Sequence, residues 1–349
     1  LPCPLRLLAQ NLQQIQCPNW ISDMLRFIAR RILILPIALV LIHFLAFTYA
    51  HFAGPIRAAR TPYLRQQFEQ GPLFETYFAH LQDMWNGGEA TLPATREDFF
   101  ALFSQAAGAS LGLLGISIAV STLFGFLLGL LAVRSQPPGV RRWLTPLSTL
   151  GLAMPSFYLG SLGILAIVYY VLSIRPGSPG ILPIKGFGWD AHLIMPTIAL
   201  SLRPTVLIAQ MVAGLLSGEL GKQYVIAARS FGHTWRSIRW KQAMRNILAP
   251  VLLMFASTLR LTFGELVVVE WFFSWPGLGR LLASALVPGQ LSTQLGATTY
   301  FLNPPIIALV VLIIGSIFLL VDLAASLAVR AVDPRLRDAD DLARTGGQP

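Results

Sequence analysis

The stretch Gly221 to Pro250, GKQYVIAARSFGHTWRSIRWKQAMRNILAP, is polar and basic, yet it stands between two apolar runs that are each long enough to cross a membrane. Between Glu219 and Arg245 it carries six cations, Lys222, Arg229, Arg236, Arg239, Lys241 and Arg245, against one anion. Loops with such an excess of Lys and Arg stay on the cytoplasmic side of a bilayer. Tyr224, Val225, Ala227, Ala228 and Phe231 suit a short helix, Gly232 offers a break, and His233 to Gln242 can form a second helix. A compact knob of helix, glycine turn and helix is expected.

Working outward, the 349 residues are 54% hydrophobic and only 12% charged, with a mean hydropathy of +0.62. Soluble domains carry about twice that charged fraction, so the chain reads as an all-α polytopic membrane protein. The net charge of +10 raises the question of nucleic acid. Its distribution answers it: sixteen Lys and Arg fall in segments expected inside, seven in segments expected outside, and Arg6, Arg203 and Arg260 in neither. The positive charge reports topology and not a nucleic-acid partner. Cys3 and Cys17 both precede the first apolar run, which leaves no thiolate metal site or disulfide framework for the membrane part.

Six spans follow from the apolar runs. Residues 1–23 are an N-terminal extension of doubtful status, in which Leu5, Leu8, Leu12 and Ile15 fall at helical spacing. Residues 24–56 hold the first span: Ile32 to Ile56 lacks Asp, Glu, Lys and Arg and follows Arg26, Arg30 and Arg31, which sets the N-terminus inside. His43 and His51 on it read as packed or interfacial, not as metal ligands. Residues 57–104 form an outside insertion with ten charges of mixed sign and many aromatics. Residues 105–337 form a five-helix core with the loop 219–245 inside, and residues 338–349 a cytoplasmic tail. Ala106 to Val133 is the second span, with Gly108/Gly112 and Gly125/Gly129 placed for close helix contact. A Pro-Pro-Gly turn between Arg134 and Arg141 leads to the third, Trp143 to Ile174, where Pro155 should kink the helix. The fourth is Ala191 to Ser217, the fifth Asn246 to Glu270, and the sixth Ile306 to Val329.

An Arg near the middle of a span costs at least about 2.5 kcal/mol on insertion scales unless it faces protein or water. Arg203 in the fourth span and Arg260 in the fifth therefore need partners, as do Glu265 and Glu270. Arg260 and Glu265 are about 140° apart at 100° per residue, so they look to different neighbours, and Arg203 with Glu265 is one candidate interior pair.

Five segments carry a resemblance. Tyr-Val at Tyr224, then Ala227-Ala228, Gly232, and Arg245-Asn-x-Leu-x-Pro250 resemble the cytoplasmic EAA loop of binding-protein-dependent ABC importer permeases, in the wording of the dipeptide/oligopeptide/nickel permease family. Gly151 to Gly160 resembles the family's LS-M-P-S-F segment, and Glu270 to Gly279, EWFFSWPGLG, its E-x-x-F-x-W-P-G-L-G segment. Trp271, Phe272, Phe273 and Trp275 also suit an interfacial aromatic belt. Asp333-Pro334-Arg335 resembles the family's terminal D-P-R, and Met24 onward resembles its usual start. Two departures are visible: Lys222-Gln223 replaces an acidic residue before Tyr-Val, and Leu291 to Pro305 lacks the usual aspartate and Gln-Gly pair.

The resemblance implies the type I ABC importer permease fold in a prokaryotic inner membrane, with both termini cytoplasmic. It implies a coupling loop of Tyr224, Ala227, Ala228, Arg229, Gly232, Arg245 and Pro250 that docks on a separate ATPase. The expected partners are a second permease forming a heterodimer, two ABC ATPases, an extracytoplasmic solute-binding protein, and membrane lipid. No cofactor is expected on this chain, ATP and magnesium belonging to the ATPases. Gly218 to Gln223 fits no phosphate loop, since its glycine spacing is wrong and no Ser or Thr follows Lys222. No H-E-x-x-H occurs, and the one G-x-S-x-G, Gly108 to Gly112, lies inside the second apolar span and not at a strand-to-helix turn, so a hydrolase is disfavoured. The expected cargo is a di- or oligopeptide, with Arg203, Arg260, Glu265 and Glu270 as candidate path residues and no metal site. Nickel, oligosaccharide or another solute, and an energy-independent channel, are the alternatives. The insertion 57–104 reads equally as a lid or binding-protein dock and as a cap on helix ends.

Overall fold

The computed structural model describes residues 20–58, 71–86, 96–174, 182–287 and 302–332. Residues 1–19 with both cysteines, Leu291 to residue 301, and the tail from Asp333 with its D-P-R lie outside the described residues. Contacts divide the chain into two units, Leu1–Leu41 with Pro334–Pro349, and Ile42–Asp333. The described part of the first unit is helical, with Leu33 and Ile37 exposed as lipid-facing side chains would be.

The helices are α1 (Trp20–Ala58), α2 (Leu73–Asn86), α3 (Arg96–Ala132), α4 (Leu144–Ala153), α5 (Ser156–Tyr169), α6 (Ile194–Leu220), α7 (Gln223–Ser230), α8 (Met244–Phe273), α9 (Leu278–Leu286) and α10 (Pro304–Val332). Among the described residues six helical stretches are long and apolar enough to cross a membrane: Ile28–Ile56, Ala101–Ala132, Ser156–Ile174, Ala191–Leu220, Trp235–Phe273 and Pro304–Ala328. In the second unit α6 is the central helix. Of its most apolar window 56% is buried, against 33% or less in the others, and it packs on α3, α4, α5 and α8.

Small residues make that packing possible where no hydrophobic effect draws helices together. A Cβ on Gly125 would lie 2.7 Å from the Thr205 carbonyl oxygen, and one on Gly129 2.8 Å from Val212 Cβ, so α3 and α6 touch backbone to backbone. Gly151 meets Val206 in the same way, and Gly163 meets Met195. The other expected glycine pair does not pack helices, because Gly108 faces open space and Gly112 accommodates the Trp189 ring.

Three expectations need correction, and the expected turn gains a hairpin. Pro155 ends a helix rather than kinking one: Met154 and Pro155 are both extended, and α4 and α5 are separate. A proline disfavours helical geometry in the residue before it, which explains a full break. The Pro-Pro-Gly turn closes a small antiparallel hairpin, β1 (Val133–Ser135) on β2 (Pro138–Val140), tied by Arg141 N to Ala132 O at 2.7 Å. The second helix of the knob is not separate: from Trp235 a helical turn, a π turn (Ile238–Ala243) and α8 form one run to Phe273, with Pro250 inside it. The aromatic belt is not one either, because Phe273 and Trp275 are buried and only Trp271 of the four is exposed.

Within the 57–104 insertion, α2 packs on α1 through an aromatic and imidazole stack. His43 and His80 rings are 5.3 Å apart and nearly parallel, Phe47 stacks on His80 at 5.4 Å, and His43 Nδ1 lies 3.1 Å from the Tyr77 hydroxyl. His51 stacks on Phe47, so both α1 histidines are packed.

Candidate functional site

The loop between α6 and α8 is braced from within. Glu219, in the last turn of α6, accepts from Lys222 Nζ, from the Tyr224 hydroxyl at 3.0 Å and from Asn246 Nδ2 at 3.1 Å. One carboxylate thus ties the end of α6 to α7 and to the first turn of α8. Burial, followed by the adjacent Glu219, raises the Tyr224 pKa to about 12, so the phenol stays a donor. Past α7 the chain turns at Gly232, whose φ of +84° falls where a side chain is strained. Arg229 clamps that turn, donating to His233 O at 3.0 Å with its guanidinium 5.2 Å from the centre of the Trp235 ring. Thr234 caps the next helical turn through Ser237 N at 3.3 Å.

The same loop is anchored to the bundle. Arg239 donates to the Leu130 carbonyl near the end of α3. Val225, Ile238 and Ala243 are buried with Leu216, Leu220, Ala132 and Leu144. On the outer side Ile226, Phe231 and Trp240 remain exposed, Phe231 by 83%. Ala227 is exposed beside them and Ala228 partly so, while Arg245 is exposed in the first turn of α8 and Pro250 lies farther along that helix. An apolar tip on a basic, braced loop suits contact with another protein.

The structure brings two of the four candidate path residues together. Arg203 Nη1 donates to Glu265 Oε1 at 2.5 Å, linking α6 to α8. Arg203 Nε and Glu265 Oε2 are buried without a hydrogen-bond partner. Arg260 points elsewhere, pairing with Asp322 on α10 and reaching Ser326 Oγ at 3.4 Å. An open apolar groove of about 600 Å³ begins one turn from Arg203, at Leu207, and runs past Met211, Gly214, Gly218 and Met254 to Glu219 and Lys222.

Glu270 stands apart, fully buried. Ser110 Oγ donates to its Oε1 at 2.5 Å and Gly279 N to its Oε2 at 2.7 Å, while the Ser110 hydroxyl oxygen accepts from Leu278 N at 2.9 Å. The first amides of α9, which no helical carbonyl can satisfy, are thus met by α3 and α8. Trp275 Nε1 donates to Ala109 O at 3.0 Å, and a Cβ on Gly277 would lie 2.2 Å from the Glu270 carboxyl. The EWFFSWPGLG segment is therefore a buried knot that turns α8 into α9, and Glu270 is enclosed rather than lining a path. Among the described residues no three His, Cys, Asp or Glu side chains gather as a metal site.

Sequence reasoning missed three partners. Glu219 was only the lone anion of a basic stretch, although its spacing to Lys222 allows a helical ion pair. Asp322 lies in the sixth span, 62 residues from Arg260, and nothing near either residue marks the pairing. Ser110 gave no signal, because its contact is 160 residues away.

Residues 121–338 match the family of binding-protein-dependent transport system inner membrane components. The chain belongs to that family. It is a multi-pass inner-membrane protein with the type I ABC importer permease fold. It is 27% identical over 267 residues to the dipeptide transport system permease protein of Lactococcus lactis, covering 76% of this chain and 81% of that one. It is 25% identical over 325 residues to the glutathione transport system permease protein of Salmonella paratyphi A, covering 90% and 99%.

Two tests follow from the geometry of this permease. Glu270→Gln leaves too few acceptors for Ser110 and Gly279 and should cost about 1–3 kcal/mol; an unchanged thermal unfolding midpoint in detergent would contradict the knot. Arg203→Gln or Glu265→Gln alone should each cost roughly 2 kcal/mol, and the double variant should regain most of it because neither charge is then stranded. Simple additivity would contradict the pairing.

Proposed function

We propose that this chain is one of two permease subunits of an ATP-driven importer that receives peptides from an extracytoplasmic binding protein. The observation that carries the proposal is the loop: an exposed apolar tip at Ile226, Phe231 and Trp240, with Trp240 on the unbroken run Trp235–Phe273 and the other two held to it across the Gly232 turn by Arg229. Such a loop converts movement of a bound ATPase into movement of a whole span. The basic residues around it support a cytoplasmic position, and with it cytoplasmic termini. ATP and magnesium would sit on two ATPase subunits.

Peptide as cargo is supported by the relatives, which are named for dipeptide and glutathione transport. A second permease facing the groove would close it into a path.

The test is uptake of labelled dipeptide into vesicles that contain the complex copurified with this chain. Uptake should require ATP and binding protein. Flux without nucleotide would indicate a channel, and ATP-dependent uptake of nickel or oligosaccharide but not peptide would correct the cargo. Gly232→Val, which strains a left-handed residue by about 1–2 kcal/mol without a clash, should lower uptake at least tenfold while ATP hydrolysis persists. Normal uptake by an assembled Gly232→Val complex would remove the loop from coupling.

A further inference from the structure

Helix α2 divides its surface into three main sectors, with the polar Thr76 and Asp83 between the third and the first. At 100° per residue, Leu73, Tyr77 and His80 share one sector of about 60°, Phe74, Phe78, Leu81 and Trp85 a second, and Glu75, Ala79, Gln82 and Asn86 a third. The first sector packs on α1. The second is apolar and exposed, Trp85 by 92%. A helix in water with one side already packed has no reason to hold four large apolar side chains on another.

The depth of the contact supplies the reason. The span Ile28–Ile56 has 29 residues, about 43 Å of helix against a hydrocarbon core of about 30 Å. His43, Phe44 and Phe47, which carry α2, lie in its middle 20 or so residues. On the same stretch Leu45, Tyr49 and Phe52 are exposed, as lipid-facing side chains are. The partners also fix the helix direction. Phe74 meets Phe44, Tyr77 meets His43, Phe44 and Phe47, and His80 meets His43 and Phe47. Contacts spread over nearly two turns of α2 fall on about one turn of α1. Helices running side by side would shift their partners by six residues between Phe74 and His80, so α2 crosses α1 at a steep angle and lies across the span.

We infer that α2 is a membrane-embedded in-plane helix, with Phe74, Phe78, Leu81 and Trp85 in contact with phospholipid acyl chains of the leaflet opposite the α6–α8 loop. By counting spans, the connection after the first span and the loop between the fourth and fifth emerge on opposite faces. The polar sector, Glu75, Gln82 and Asn86, then faces the headgroups, as in interfacial amphipathic helices. The helix carries no Lys or Arg, so the attachment is by apolar insertion and not by attraction to anionic lipid. Cradled at this depth, α2 wedges the bilayer beside α1 and leaves the water-facing part of the insertion to other residues.

The inference does not depend on which solute is carried, and its test reads only the helix. In full-length chain with Cys3→Ser and Cys17→Ser, purified with its partner subunits in phosphatidylcholine nanodiscs, spin labels are placed singly at residues 74, 78, 81 and 85, and at 75, 79 and 82. Relaxation enhancement by oxygen should exceed that by a water-soluble nickel chelate several-fold at the first set, with the order reversed at the second. Nickel chelate prevailing at both sets would overturn the inference in favour of a water-facing cap. Neither reagent reaching the first set would overturn it in favour of a protein partner seated on the stripe.

Discussion

Inside a bilayer a polar side chain has no water to turn to, so it must find its partner within the protein or make a path that brings water in. Much of this structure follows from that constraint. Arg203 joins α6 to α8 through Glu265, Arg260 joins α8 to α10 through Asp322, and Glu270 joins α3, α8 and α9 through Ser110 and Gly279. Each group acts as a clamp between helices whose apolar surfaces alone would slide, since lipid is as good a neighbour for leucine as another helix is. Close glycine contacts between α3 and α6 set the spacing, and the polar clamps set the register.

The loop between α6 and α8 solves a different problem. Its polar groups are largely exposed, where ion pairs are weak, and under the proposed coupling role it must not flex. Glu219 therefore gathers three donors instead of one, Arg229 closes the Gly232 turn, and Arg239 reaches back to α3. Because α8 grows out of the second half of the loop without a hinge, and Arg229 clamps the Gly232 turn onto it, that half is better described as the end of a span than as part of a knob resting beneath the bundle. That distinction matters for transport, since a lever moves what it is made of, whereas a docked knob moves only what it touches.

Much was legible in the sequence because membrane physics writes itself locally: the six spans follow from runs of apolar residues, the loop from its charge, and the Arg203–Glu265 pair from the cost of lone charges. What was hidden depends on distance. Nothing near Glu270 in the chain announces Ser110, and WPGLG next to aromatics reads as well for an interfacial belt as for a buried knot. Pro155 was read correctly as an interruption but too weakly, because whether a proline kinks or ends a helix depends on what the neighbouring helices accept. The run through the loop into α8 was missed because a π turn conceals helical periodicity.

The central claim is that Trp235–Phe273 moves as one body. Spin labels at Trp240 and Val268, both exposed on that run and about 42 Å apart for a straight helix, measure it by pulsed electron resonance in the assembled transporter. The account predicts that this distance stays the same between the nucleotide-free and ATP-trapped complexes, while the distance from Val268 to Leu165 on α5 changes. A change between Trp240 and Val268, with Val268 to Leu165 constant, would show that the run bends and that the loop does not drive the span.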